Sequence, residues 1–221
     1  MEEIQEMHPL IAQRISDHVD VLGKTMDYID VIAEAAERCK TALKSGGKVL
    51  FCGNGGSAAD SQHLAAEFIG RFQKERRSLA AVALTVDTSA LTAIANDYGY
   101  DEVFARQVEG LGRSGDVLIG ISTSGNSANV VKAVEMARDI GMHTIAFTGE
   151  GGGKLKELCD LTFAVPSRVT ARVQEMHEAI AAKTFDTLDK IPGIAVPAGW
   201  VRQAHDLIAG GIYTAVHHGS G

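Results

Sequence analysis

Five short stretches of this chain carry side chains able to do chemistry. Asn54-Gly55-Gly56-Ser57 joins two glycines, which permit positive φ and close backbone approach, to a hydroxyl. Ser57 is placed to N-cap the helix that follows, with Asp60 three residues on as in a capping box. Backbone N–H groups at such a helix start form a ready anion site. Ser122-Thr123-Ser124-Gly125-Asn126-Ser127 gathers four hydroxyls in six residues and lacks the Gly-Lys-Ser/Thr ending of a nucleotide-triphosphate loop. It offers neutral donors to a phosphate without any lysine. His63 and Glu67 are spaced i, i+4, so both side chains share one helix face. They can bind one divalent metal or set a base beside an imidazole. Asn96-Asp97, just before Gly99, is either a ligand contact or a helix end, and Gln174-Glu175-Met176-His177 puts polar groups at the start of a last helix.

These residues must be positioned by elements that the hydrophobic pattern makes visible. The first 45 or so residues read as helices, stopped by Gly46-Gly47. Short apolar runs at 48–52, 80–84, 116–121, 144–147 and 161–165 then alternate with helical stretches after residue 57, around 89–97 and 102–111, up to about 138, at 153–158 and from about 169 to 189. The runs are continuous instead of alternating, which predicts an α/β fold: a central parallel sheet between two helical layers, with N-terminal helices added. Ligands of such sheets bind beyond the carboxyl ends of the strands, where both the glycine-rich and the serine-rich turns fall.

Composition sets the bounds. The chain has 221 residues, 45% of them apolar and 22% charged, which suits one folded core and argues against disorder. A net charge of −7 argues against a nucleic-acid backbone as partner and favours a small sugar phosphate over a polymer. No apolar run reaches the ~18–20 residues of a membrane span, and the acidic start MEEIQEMHPL shows no signal-peptide pattern. Three cysteines, Cys39, Cys52 and Cys159, are odd in number and not spaced as metal knuckles, which points to a reducing cytoplasm.

The chain resembles the phosphoheptose isomerase family. The resemblance runs over about residues 5–190. It rests on Cys52-Gly53-Asn54-Gly55-Gly56-Ser57, His63-Leu64-Ala65-Ala66-Glu67-Phe68-Ile69-Gly70-Arg71-Phe72, Leu91 to Gly99, Gly120 to Ser127, and Arg172-Val173-Gln174-Glu175. It implies a sugar-isomerase (SIS, Rossmann-like) domain over residues 1–190. The implied activity converts sedoheptulose 7-phosphate to D-glycero-D-manno-heptose 7-phosphate, on the way to the heptose of lipopolysaccharide. It also implies a cytoplasmic homotetramer with active sites between subunits, and zinc in several members. Carried over by position, Ser57, Ser122, Thr123, Ser124 and Ser127 hold the phosphate. Asn54, Gly55, Gly56, Asn96 and Asp97 shape the sugar site. Glu67 is the base, and His63, Glu67 and Gln174 match three zinc ligands.

Two positions depart from the family. Its histidine eight residues after the glutamine, a metal ligand and partner acid, is Ala182 here, and its aspartate three residues before the glutamine is Ala171. His177 lies five residues short of position 182, about 7.5 Å along a helix, and is a poor substitute. The departure admits two alternatives. One is a non-catalytic scaffold resembling the DnaA initiator-associating protein, which lacks the glutamate found here at Glu67. The other is an isomerase of another phosphosugar. Residues 191–221, with Pro192, Pro197, Trp200 and the tail histidines His205, His217 and His218, read as a C-terminal extension outside the resemblance.

Overall fold

The strands are unbroken apolar runs because both faces of the sheet are covered. In a computed structural model that describes residues 2–70 and 76–186, the elements run α1 (Glu2–Thr25), a 3-10 turn (Met26–Tyr28), α2 (Ile29–Lys44), β1 (Val49–Gly53), α3 (Gly56–Ile69), β2 (Ala81–Ala83) and α4 (Thr88–Tyr98). After a second 3-10 turn (Tyr100–Glu102) come α5 (Ala105–Leu111), β3 (Val117–Ser122), α6 (Ala128–Ile140), β4 (His143–Thr148), α7 (Gly153–Leu158), β5 (Leu161–Ala164) and α8 (Thr170–Asp186). The five predicted strands all form, each within a residue or two of its expected ends. Arg71, Phe72, the segment 191–221 and its histidines lie outside the described residues.

All strand pairs are parallel, in the order β2-β1-β3-β4-β5. Alternation along each strand sorts the core into two layers. Val49, Phe51, Val117, Ile119, Ile121, Ile145 and Phe147 point to the side covered by α1, α2, α3 and α8, where they meet Cys39, Leu64, Phe68 and Met176. Leu50, Cys52, Leu118 and Ala146 point to the other side, against Val108, Val130, Val134 and Leu155 of α5, α6 and α7. The three-layer α/β sandwich expected from the sequence is therefore the observed architecture.

α8 is fastened to this core by His177, which is fully buried. Its ring lies 5.6 Å from that of Phe147 and 6.1 Å from that of Phe163. Nε2–H donates to the Thr148 carbonyl at 3.0 Å, leaving Nδ1 bare and without a partner among the described residues. Burial drives the imidazole from an ordinary 6.5 down to about 4, against the opposing pull of the Thr148 bond. The folded-state value is depressed, so the stabilisation is complete above pH 6.5 and is lost as pH falls toward 4, where only the unfolded chain gains the proton. Over that interval the parent should lose about 3 kcal/mol more stability than His177→Gln, measured by denaturant melts at pH 7 and pH 4.

Candidate functional site

The strand order creates the site. β1 crosses over to β2 on one side, and the chain then returns past it to β3 on the other, so the crossovers diverge between β1 and β3. The crevice at the carboxyl ends of such a pair is where doubly wound sheets hold ligands. Gly53 is in register with Ile121, so the turns after β1 and β3 leave the sheet at one level. They are then tied together. Asn54 Nδ2 donates to Asn129 Oδ1 at 2.8 Å, Asn129 Nδ2 donates back to Asn54 Oδ1 at 2.9 Å, and the Tyr100 hydroxyl donates to Asn54 Oδ1 at 3.1 Å. Asn129 and Tyr100 were not apparent as site residues, because only the crossovers bring them to Asn54.

The second turn is a cluster of hydroxyls. Ser122 Oγ stands 2.8 Å from Ser127 Oγ and 3.4 Å from Ser124 Oγ, and the Asn126 N–H donates to Ser124 Oγ at 3.1 Å. Ser127 occupies the N-cap of α6 but makes no side-chain cap bond. The orphan N–H groups of that first turn therefore keep their donor capacity. Thr123 holds the loop through its carbonyl, which accepts from the Gly149 N–H at 3.0 Å. The cradle is uncharged, as its sequence indicated.

Ser57 departs from expectation. α3 begins at Gly56, and Gly55, at φ 58°, is its N-cap with no side-chain bond. Ser57 is the second helical residue and is buried, so no capping box forms with Asp60. Asp60 instead sits half-buried with Oδ2 unpartnered among the described residues. Burial first and Glu178 second push its carboxyl up, against the opposing pull of His63, to about 6.

α3 and α8 run along each other in the same direction. Gln174 packs so close to Gly56 that a Cβ there would lie 2.0 Å from Nε2. Further along, His63 Nε2 stands 4.0 Å from Glu67 Oε1 and 3.9 Å from Glu178 Oε1. Glu67 Oε2 is buried and has no partner among the described residues. Its backbone is held by Arg76, which donates to the carbonyls of Glu67 at 2.7 Å and Phe68 at 2.9 Å. Imidazole nitrogen, carboxylate and amide oxygen suit a divalent ion, and an orphaned buried oxygen asks for one. No three His, Cys, Asp or Glu side chains enclose an ion as placed among the described residues.

The site residues do not all meet within one chain. Ser57 and Glu67 are ten residues apart on α3, about 15 Å of rise, and Gln174 lies at the Gly56 end, about 10 Å up the helix from His63. Asn96 and Asp97 are exposed and bond each other, Nδ2 to Oδ1 at 2.8 Å. Among the described residues no hydrogen bond joins them to either turn. His177 serves the core.

Fold and site together define a SIS-domain protein, and the SIS domain family model matches residues 17–149. Phosphoheptose isomerase of Nitratiruptor sp. is 64% identical over 181 residues, covering 81% of this chain and 97% of that protein. The namesake of Akkermansia muciniphila is 58% identical over 176 residues, 80% of this chain and 92% of that one. The structure of phosphoheptose isomerase from Neisseria gonorrhoeae superimposes with a TM-score of 0.80 at 46% identity, covering 84% of this chain and all of that one. The chain belongs to the phosphoheptose isomerase family. Because the atom facing Gly56 is the mobile end of a side chain, Gly56→Ala should displace the Gln174 amide without breaking the fold. We expect isomerase kcat/KM to fall about tenfold or more, with stability unchanged or raised by up to ~1 kcal/mol, read by steady-state kinetics and thermal melts.

Proposed function

We propose that this chain interconverts sedoheptulose 7-phosphate and D-glycero-D-manno-heptose 7-phosphate, supplying heptose for lipopolysaccharide. The observation that carries this reading is a lysine-free hydroxyl cradle at the β1–β3 switch, joined by α3 to a carboxylate with a buried, unpartnered oxygen. Ser57, Ser122, Thr123, Ser124, Ser127 and the first N–H groups of α6 bind the phosphate, which needs donors and no permanent cation. Asn54, Gly55, Gly56, Asn96 and Asp97 shape the sugar site. Glu67 Oε2 removes the C1 proton of the ketose while O2 takes a proton from water, giving a neutral enediol. The same carboxyl returns a proton to C2 as O1 gives its own back to water, and the aldose forms. His63 and Glu67, with Gln174 brought from a second subunit, are the residues that would hold zinc, and a cation bound there would supply Lewis-acid polarisation of the sugar oxygens. Glu67, which the scaffold relative lacks, favours the enzyme over the scaffold.

The site is assembled between subunits of a homotetramer. Two features support this: the 15 Å or so that separates Ser57 from Glu67 along one α3, and an apolar stripe on α1. Met7, Leu10, Ile11, Ile15, Val19 and Leu22 recur at helical spacing and are 38–61% exposed, which one chain leaves uncovered. No helix among the described residues is long and apolar enough to cross a membrane, and a cytoplasmic setting suits the phosphosugar.

Two experiments test this reading. Glu67→Gln should slow C1/C2 proton exchange in sedoheptulose 7-phosphate, followed by NMR, about 100- to 10,000-fold, and full exchange in the variant removes Glu67 as the base. Light scattering should give four times 23.4 kDa for the parent, with smaller species for Ile15→Asp/Val19→Asp. A monomeric parent overturns the shared site.

A further inference from the structure

The half-buried Asn54 side chain has all but one of its hydrogen-bonding positions filled. Oδ1 accepts from Asn129 Nδ2 at 2.9 Å and from the Tyr100 hydroxyl at 3.1 Å, which occupies both lone pairs of an amide oxygen. Nδ2 donates one N–H to Asn129 Oδ1 at 2.8 Å, and the other N–H has no partner among the described residues. We propose that Tyr100 and Asn129 are positioning residues that fix the Asn54 carboxamide as a pure donor, its last N–H offered to an uncharged oxygen of the sugar. The proposal rests on the sugar-phosphate isomerase reading given above.

The two residues act differently. Asn129 is 3% exposed and commits both ends of its amide to Asn54, which a buried carboxamide needs if its burial is not to be costly. That reciprocal pair has a symmetry, because turning both amides over would keep both bonds. The Tyr100 hydroxyl breaks it. A phenol donates better than it accepts, so the ring favours Oδ1 on its own side and leaves the N–H on the free side. The overturned amide would present Oδ1 there instead, which repels a carbonyl oxygen and suits only a hydroxyl that donates. The frame that holds Tyr100 is firm. Gly99, at φ 90°, turns the chain out of α4 into the 3-10 turn that Tyr100 begins. Val103 and Phe104, both buried, follow that turn, and Glu102 within it pairs with Lys132 Nζ at 2.5 Å. Lys132 lies three residues after Asn129 on α6, so one helix steadies both partners of Asn54.

Tyr100 is 59% exposed, so Tyr100→Phe removes the hydroxyl without leaving a buried orphan, and the test is made there instead of at the buried Asn129. We expect Tyr100→Phe to lower kcat/KM for sedoheptulose 7-phosphate about threefold to tenfold, with an unchanged melting curve. The inhibition constant of inorganic phosphate, which reports the hydroxyl cradle alone, should stay within about twofold of the parent's. In an Asn54→Ala background the same substitution should cost nothing further, because no carboxamide is left to position. An equal loss in that background makes Tyr100 a direct contact or a general support of the turn, and overturns the proposal. So does a Tyr100→Phe enzyme with the parent's kcat/KM, or one whose phosphate inhibition weakens in step. Each of these outcomes leaves the isomerase reading standing. If the parent exchanges no C1 or C2 proton of sedoheptulose 7-phosphate, that reading fails and takes the proposal with it.

Discussion

The placement of β1 beside β3 is the constraint on which the rest of the molecule depends. Register sets Gly53 against Ile121, and that one pairing decides that two turns far apart in sequence leave the sheet together. A slip by a single residue would reverse every side chain of β1 between the two core layers, exposing neither set to a suitable partner. The apolar alternation of Val49, Leu50, Phe51 and Cys52 therefore fixes the height at which Asn54 meets Asn129. The hydroxyl cradle inherits its shape from the core, and its hydroxyls need no charged residue to define it.

The seam between α3 and α8 is held by different means at its two edges. On the sheet side, His177 is buried against two aromatic rings and contributes as a neutral ring. On the outer side, Asp60, Glu67 and Glu178 surround His63, and two buried carboxyl oxygens are without hydrogen bonds among the described residues. The cost of that arrangement is tolerated because α3 is secured elsewhere. Arg76, only 7% exposed, donates to the carbonyls near the helix end and anchors the backbone that carries Glu67. A strained electrostatic edge on a rigid support is the usual condition of a site built to receive charge.

Much of this was legible in the sequence, for identifiable reasons. The five strands announced themselves because buried parallel strands must be apolar throughout, and the hydroxyl cluster because four hydroxyls in six residues need no tertiary knowledge to be noticed. The cap of α3 was misread. Ser57 has the right side chain, but a glycine at φ 58° turns the chain one residue earlier and draws the hydroxyl inward. Asn129, Tyr100 and Arg76 were invisible for a different reason: each acts on a residue it reaches only through the crossovers or through a turn back across a helix end.

The direction of α3 gives the proposed oligomer a chemical purpose beyond covering apolar surface. A helix starting at the phosphate turn carries its later residues away from that turn by 1.5 Å each, so His63 and Glu67 cannot stand where Gly56 and Gln174 do. On the proposed reading, one chain holds a phosphate-binding half at one end of α3 and a proton-transferring half at the other. Two chains set side by side can bring the unlike halves together, and the exposed stripe on α1 supplies apolar area to hold them there. On this view the unpaired carboxylates and the bare hydroxyl cradle are two aspects of one arrangement, in which each subunit leaves unsatisfied what its neighbour and the shared substrate complete.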